Sequence, residues 1–318
     1  MHHSAITLSL TGLLLLSSQF AVADYAYITN QDDATVSVFD LPDGKLVNTF
    51  SVDSGPVGVA IDNKHHRVYF THPESGLVTA YDNQSFELLF KVDTFGQPFG
   101  ITVDHTAKGL VFVTDWNRDA VLVINPETKQ IVDLLAVQES PADIVIDSEK
   151  RRIYVANRES NTVTILDADT PRKHAVIATS KNPYSLALSP DGKRVYVSTV
   201  GDGHIDIIDT ESKQVTDTIK VGNSPYDVSV SHDNKRFYVV NQGDNNLITF
   251  DALSLKQISR IPLAKMPESI MLSSDGQFAY VTNWFDNKLS IVDLQSNSVI
   301  STLKTGKGPR AFGGFTSP

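Results

Sequence analysis

An all-β chain folded as a seven-bladed β-propeller of four-stranded antiparallel blades is what three features of this 318-residue sequence predict. The first is a proline before each apolar-alternating run, at Pro56, Pro98, Pro141, Pro183, Pro225, Pro267 and Pro309, spaced 42, 43, 42, 42, 42 and 42 residues apart. The second is an aromatic on the same beat, Tyr27, Tyr69, Phe112, Tyr154, Tyr196, Tyr238 and Tyr280. The third is a strand-closing Asp or Asn at Asp40, Asp82, Asn125, Asp167, Asp209, Asp251 and Asp293. A sheet-sized unit repeated on a period near 42 residues is a propeller blade, because a lone blade cannot cover both its faces.

Each unit reads as four strands. "SLALS" (185–189) alternates as an inner strand should, and "PDGKR" (190–194) supplies the positive-φ residues of a tight hairpin. "VYVST" (195–199) and "HIDIID" (204–209) follow, then "QVTDTIKV" (214–221), whose polar residues alternate outward as in a partly solvated outer strand. No stretch carries the 3.6-residue period of a long helix. Residues 24–52 hold only the last three strands of a unit, and residues 309–315 only a first strand. The two fragments make one blade, so the N- and C-terminal strands are expected to close the ring, with residues 310–315 pairing inside that blade.

The N-terminal "MHHSAITLSLTGLLLLSSQFAVAD" has an apolar run from Ile6 to Leu16 before Ala21-Val22-Ala23. This predicts a secretory signal over residues 1–23, a propeller domain over 24–318 and a periplasmic or secreted protein. The apolar run is shorter than the ~20 residues that span a bilayer, so no membrane insertion is expected after cleavage. There is no cysteine, which removes disulfides, thiolate metal sites and haem attachment through C-x-x-C-H. The net charge of −10 opposes phosphate backbones and anionic headgroups at long range.

The strand motif itself, "YITN" (27–30), "YFTH" (69–72), "FVTD" (112–115), "YVAN" (154–157), "YVST" (196–199), "YVVN" (238–241) and "YVTN" (280–283), resembles that of the YVTN-repeat β-propellers. With a secretory signal and one propeller, the chain is similar to the YncE-like periplasmic members. The resemblance implies binding or scaffolding roles, with single-stranded DNA binding known for one member.

Function on a propeller concentrates in loops around the central channel. The residue after each repeat proline and the loops joining second and third strands share one face. They bring together Phe99, Trp116, Arg118, Arg158, Tyr184, Tyr226, Trp284, Phe285 and Arg310 as candidate ligand-binding residues, an aromatic platform suited to a planar ligand, a peptide or bases. The same loops carry twelve acidic residues, among them Asp33, Asp202, Asp244 and Asp286, against six basic ones, a net of −6 that disfavours nucleic acid. His65, His66, His72, His105, His174, His204 and His232 are expected to be surface histidines, with no metal site and no cofactor. No catalytic motif appears. Asp143 and Asp227 are the inner-strand carboxylates open to a hydrolase or lyase, with solvated channel lining as their simplest role. The reading that follows is an exported, monomeric, non-enzymatic scaffold that binds a protein or small-molecule ligand at its channel face. A hydrolase or lyase and a single-stranded DNA binder remain as alternatives.

Overall fold

The computed structural model describes residues 25–41, 44–106, 109–170 and 173–317. The expected signal segment lies outside the described residues. The strands form seven sheets, each built on antiparallel neighbours, with one short parallel strand added to the first. Blades 1 to 6 follow chain order: Gly58–Asp93, Pro98–Ala136, Pro141–Ala178, Pro183–Lys220, Pro225–Pro262 and Pro267–Lys304. Blade 7 takes strands Tyr25–Asn30, Thr35–Asp40 and Lys45–Ser51 from the N-terminal end and Thr316–Ser317 from the C-terminal end. The split repeat therefore closes the ring, as the sequence predicts. Among the described residues the only helical pieces are two 3-10 turns, Gln31–Asp33 and Asn63–His65. None of the described helices is long and apolar enough to cross a membrane.

First strands face the axis and touch one another around the ring. Second and third strands are buried on both faces, as the pattern iBBBBB of Arg194–Thr199 shows, and fourth strands alternate outward. Most hydrophobic clusters join two neighbouring blades, as where Tyr196, Ile205 and Ile207 of blade 4 pack on Val228, Phe237 and Val239 of blade 5. Burial at these junctions drives closure, since any open end would leave such a face in water.

The closing strand departs from the simple pairing expected of residues 310–315. Pro309 bridges Asn30, Arg310 N–H donates to Thr29 O (2.9 Å) and Tyr27 N–H donates to Phe315 O (2.8 Å), all within blade 7. Between them Phe312 and Gly313 cross to pair in parallel with Gly58 and Val59 of blade 1. The closing strand spends eight residues (Pro309 to Thr316) opposite Asn30 to Ala26, where blade 6 spends six (Pro267 to Leu272) opposite Asn283 to Ala279. Gly313, at φ 103°, supplies the turn that an L side chain resists. The extra length makes a stitch into the next blade, tying the last strand to two sheets.

The motif residues prove to be structural. In blades 1, 2, 6 and 7 the third residue of "YVTN" accepts a first-strand N–H within its own blade and donates to a first-strand carbonyl in the next, whereas Ser198 of blade 4 accepts from Ser185 N and donates back to Ser185 O. Thr71 Oγ accepts from Gly58 N (2.8 Å) and donates to Phe99 O (2.7 Å). Thr114 accepts from Gly100 N and donates to Ala142 O; Thr282 accepts from Ser269 N and donates to Arg310 O; Thr29 accepts from Ala311 N and donates to Val57 O. Blades 3 and 5 have Ala156 and Val240 at this position, and only there is the residue two after the repeat proline an aspartate. Asp143 accepts from Ile144 N and, across the junction, from Leu186 N (both 2.8 Å). Asp227 accepts from Val228 N, from Ile270 N of blade 6 (2.9 Å) and from Ser185 Oγ of blade 4 (2.5 Å). Every one of the seven junctions thus has a buried polar staple, from a hydroxyl or from a carboxylate. The two carboxylates are 5% and 8% exposed, so they are not the solvated lining that their sequence positions suggest.

Candidate functional site

The residue after each repeat proline comes to the channel mouth, as the spacing predicts. Phe99 and Tyr184 pack around Phe312 with ring centroids 5.5 and 5.4 Å away, and together with Val57 and Ala142 they plug the channel. Above this plug lies a cavity of about 410 Å³, walled by Phe99, Trp116, Arg158, Tyr184 and Arg310 with Glu74 and Gln97 at the side. Below it a second cavity of about 360 Å³ follows the inner strands past Ile101, Asp143, Leu186, Asp227 and Gly314.

Of the nine candidate residues, five wall the upper cavity and Tyr226 braces it from behind. Arg310 is the hub. Its Nε donates to Glu268 Oε2 (2.7 Å) and its Nη2 to Tyr226 OH (2.8 Å), and the Tyr226 and Tyr184 hydroxyls share a 2.9 Å hydrogen bond. Gln242 Nε2 donates to the other Glu268 oxygen (3.0 Å). Burial raises the pKa of Glu268, with Arg310 and Gln242 pulling the other way. Burial also works against the charge of Arg310, but Glu268 and the two tyrosine hydroxyls outweigh it and hold the guanidinium firmly protonated. Tyr184 and Tyr226 are raised by burial and remain neutral hydroxyls.

The rings and cations interleave. The Phe99 and Trp116 centroids are 5.4 Å apart, with the Arg310 guanidinium 5.9 Å from Phe99 and the Arg158 guanidinium 5.9 Å from Trp116. Arg158 also pairs with Glu159, in an ion pair exposed enough to exchange for a ligand anion at small cost. Glu74, exposed at the cavity edge, accepts from Ser54 Oγ (2.7 Å) and Gln31 Nε2 (3.5 Å).

The remaining three candidates lie elsewhere on the face. Arg118 donates to Phe95 O (2.9 Å) and approaches Asp115 at 3.7 Å. Trp284 sits beside Gly308, and Phe285 is 57% exposed under the Lys265 ammonium at 5.4 Å. Sequence reasoning missed Glu74, Gln97 and Gln31 as cavity residues and missed the Glu268–Arg310 pair. The pair was readable, since Glu268 and Arg310 hold the same repeat position in adjacent blades with opposite charge.

Much of the acidic excess of the face is structural. Asp202, Asp244, Asp286 and Asp33 accept backbone N–H groups of Lys181, Asn223, Lys265 and Lys307 at 2.7–3.0 Å, pinning the loops that enter the first strands. The expectation of surface histidines fails at His72, which is fully buried between Asp53 O and Thr79 Oγ and is pushed down by burial to a pKa of about 4. Among the described residues no three His, Cys, Asp or Glu are grouped to hold a metal ion.

This ring of seven four-stranded blades with a plugged channel and a walled mouth defines a β-propeller of the single-ring kind. The YNCE-like beta-propeller family model matches residues 103–256, from blade 2 into blade 5, so this stretch of the ring is similar to the YncE-like β-propellers. No curated protein matches the sequence. Among solved structures, Kuenenia stuttgartiensis hydrazine synthase is similar at 20% identity and TM-score 0.73, over 80% of this chain and 88% of that one. A functionally unknown protein from Desulfotomaculum acetoxidans DSM 771 is similar at 14% identity and TM-score 0.77, over 90% and 99% of the two chains. The dihydro-heme d1 dehydrogenase NirN in complex with DHE is similar at 14% identity and TM-score 0.69, over 89% of this chain and 64% of that one. At these identities the likeness is one of fold.

Proposed function

We propose that the protein is an exported, monomeric, non-enzymatic binding propeller that receives a compact ligand, free or presented by a protein partner, in the cavity at its channel mouth. The observation that carries this is the convergence of Phe99, Trp116, Tyr184, Arg158 and Arg310 on one concave space of ligand size. A rigid ring holds these groups, so little ordering cost falls on binding. Two other readings lose ground on the same geometry. Asp143 and Asp227 spend their oxygens on backbone amides, which leaves a hydrolase without free carboxylates there. Arg310 is spent on Glu268 and Arg118 on Phe95 O and Asp115, which removes two cations from any nucleic-acid path.

The chain has only two tryptophans, so Trp284→Phe leaves Trp116 as a sole reporter. Titrating that variant with a panel of small aromatic acids and amines should give saturable changes in Trp116 emission. The responses to the acids should disappear in Arg158→Gln. Responses confined to the reverse variant, Trp116→Phe, would place binding at Trp284 and overturn the assignment of this cavity.

A further inference from the structure

The second-to-third-strand loops place Glu74, Trp116 and Arg158 in consecutive blades 1, 2 and 3, all on the wall of one cavity. Going round the ring, the wall changes from carboxylate through aromatic to guanidinium. Phe99 lies behind the middle of this arc, 5.4 Å from Trp116. The two ends differ in how their charge is held. Glu74 has its oxygens steered by Ser54 and Gln31 and has no cationic partner among the described residues. Arg158 stacks on Trp116 and pairs only with its exposed neighbour Glu159. Both ends can therefore accept a charged group without breaking a buried pair, unlike Glu268 and Arg310 at the hub.

Resting on the reading of this cavity as the binding site, we infer that its ligand is dipolar, a short free peptide with an aromatic side chain between its termini. The terminal ammonium meets Glu74, the side chain lies on Phe99 and Trp116, and the terminal carboxylate meets Arg158. A tripeptide spans roughly 10 Å when extended, so its two termini can engage groups on different loops. A ligand with only an anion would leave the Glu74 carboxylate facing it across the cavity, and one with only a cation would meet the guanidinium.

The test uses the full propeller carrying Trp284→Phe, with Gly-Phe-Gly, its N-acetylated form and its C-terminal amide titrated by Trp116 emission. Gly-Phe-Gly should bind, and blocking either terminus should weaken it by about 10-fold, the worth of one charge-assisted contact. The penalty for acetylation should vanish in Glu74→Gln and the penalty for amidation in Arg158→Gln, each variant keeping the penalty for the other modification. Equal binding of all three peptides would overturn the dipolar assignment while leaving the cavity as the binding site. No response to any of them would overturn the peptide assignment, and the aromatic acid and amine panel would still judge the cavity separately.

Discussion

At the inner junctions of the blades, seven staples do one job with two chemistries, hydroxyl or carboxylate. At the channel mouth, the position just after the strand motif reads Gln31, Pro73, Trp116, Arg158, Val200, Gln242 and Trp284, with no two neighbouring blades alike. The staples are buried, hydrogen-bonded on both sides and periodic. The mouth residues are half-exposed and break the period. A ring needs the same contact at each junction, so selection for closure repeats residues, whereas a ligand is not sevenfold and a site for it must be irregular. Where this chain repeats itself it holds its fold, and where it stops repeating it builds its cavity.

The sharpest way to break the periodic half of this comparison is to remove the closing strand. Deleting residues 308–317 takes away the Thr29–Ala311 staple, the stitch to Gly58 and Val59 and the pairing with Tyr25–Asn30. We expect loss of most of the roughly 5–15 kcal/mol that a domain has to spare, read as a collapsed or non-cooperative thermal melt. An unchanged melt would mean that closure contributes little.

Next in size is the hub. Glu268→Ala leaves the Arg310 guanidinium buried without its carboxylate, at a cost of about 3–5 kcal/mol in chemical denaturation. Destabilisation below about 1 kcal/mol would show that Arg310 finds water or another partner.

The exchange of chemistries at the staples makes a smaller and more specific prediction. Asp143→Gly strands the Leu186 and Ile144 amides and should cost about 2–3 kcal/mol. Adding Ala156→Thr recreates the arrangement of Gly100 with Thr114 in blade 2 and should restore most of the loss. Failure of the second change to rescue the first would break the equivalence of the two staples.

The carboxylate staples also carry a pH signature that the hydroxyl ones lack. Burial pushes Asp143 up to about 7, helped by the nearby Asp227, and pushes Asp227 up to about 6. These folded values lie above the unfolded one, so their contribution is full below about pH 4 and is lost as pH rises through 6 and 7. His72, lowered to about 4 by burial, acts oppositely, losing its contribution as pH falls from about 6.5 towards 4. The melting temperature should rise as pH falls from 8, more gently below about 6.5 where His72 opposes the two carboxylates, and should turn over only near pH 4. A rise from pH 8 to 6 that persists undiminished in Asp143→Gly/Ala156→Thr with Asp227→Gly/Val240→Thr would assign it to other groups.

Most of the fold was legible because a 42-residue beat carried by prolines, aromatics and strand-closing aspartates leaves little freedom in where strands begin and end. The mouth was legible as a set of positions but not as a cavity. Phe99, Tyr184, Glu268 and Arg310 share one repeat position, yet nothing in the spacing shows that Arg310 also reaches Tyr226 or that Trp284 stands apart from Trp116. Those depend on side-chain reach across an axis, which no linear pattern records. The staples could have been seen in an alignment of the repeats, since aspartate at positions 143 and 227 coincides with loss of the hydroxyl at Ala156 and Val240. The two-residue lengthening at Gly313 and Gly314 is visible only when the last strand is set against its partner.

Asn157 and Arg158 are consecutive residues that fall on opposite sides of this division. Asn157 is fully buried, donates to Thr162 and Thr164 (3.1 and 2.9 Å to their hydroxyls) and accepts from Gln138 N (3.3 Å). Arg158 projects to the cavity. Measuring the urea midpoints of Asn157→Ala and Arg158→Gln side by side therefore tests the division directly. The account predicts a loss of about 1–3 kcal/mol for Asn157→Ala and a change within about 0.5 kcal/mol for Arg158→Gln. Equal destabilisation by the two, or a larger one from Arg158→Gln, would contradict it.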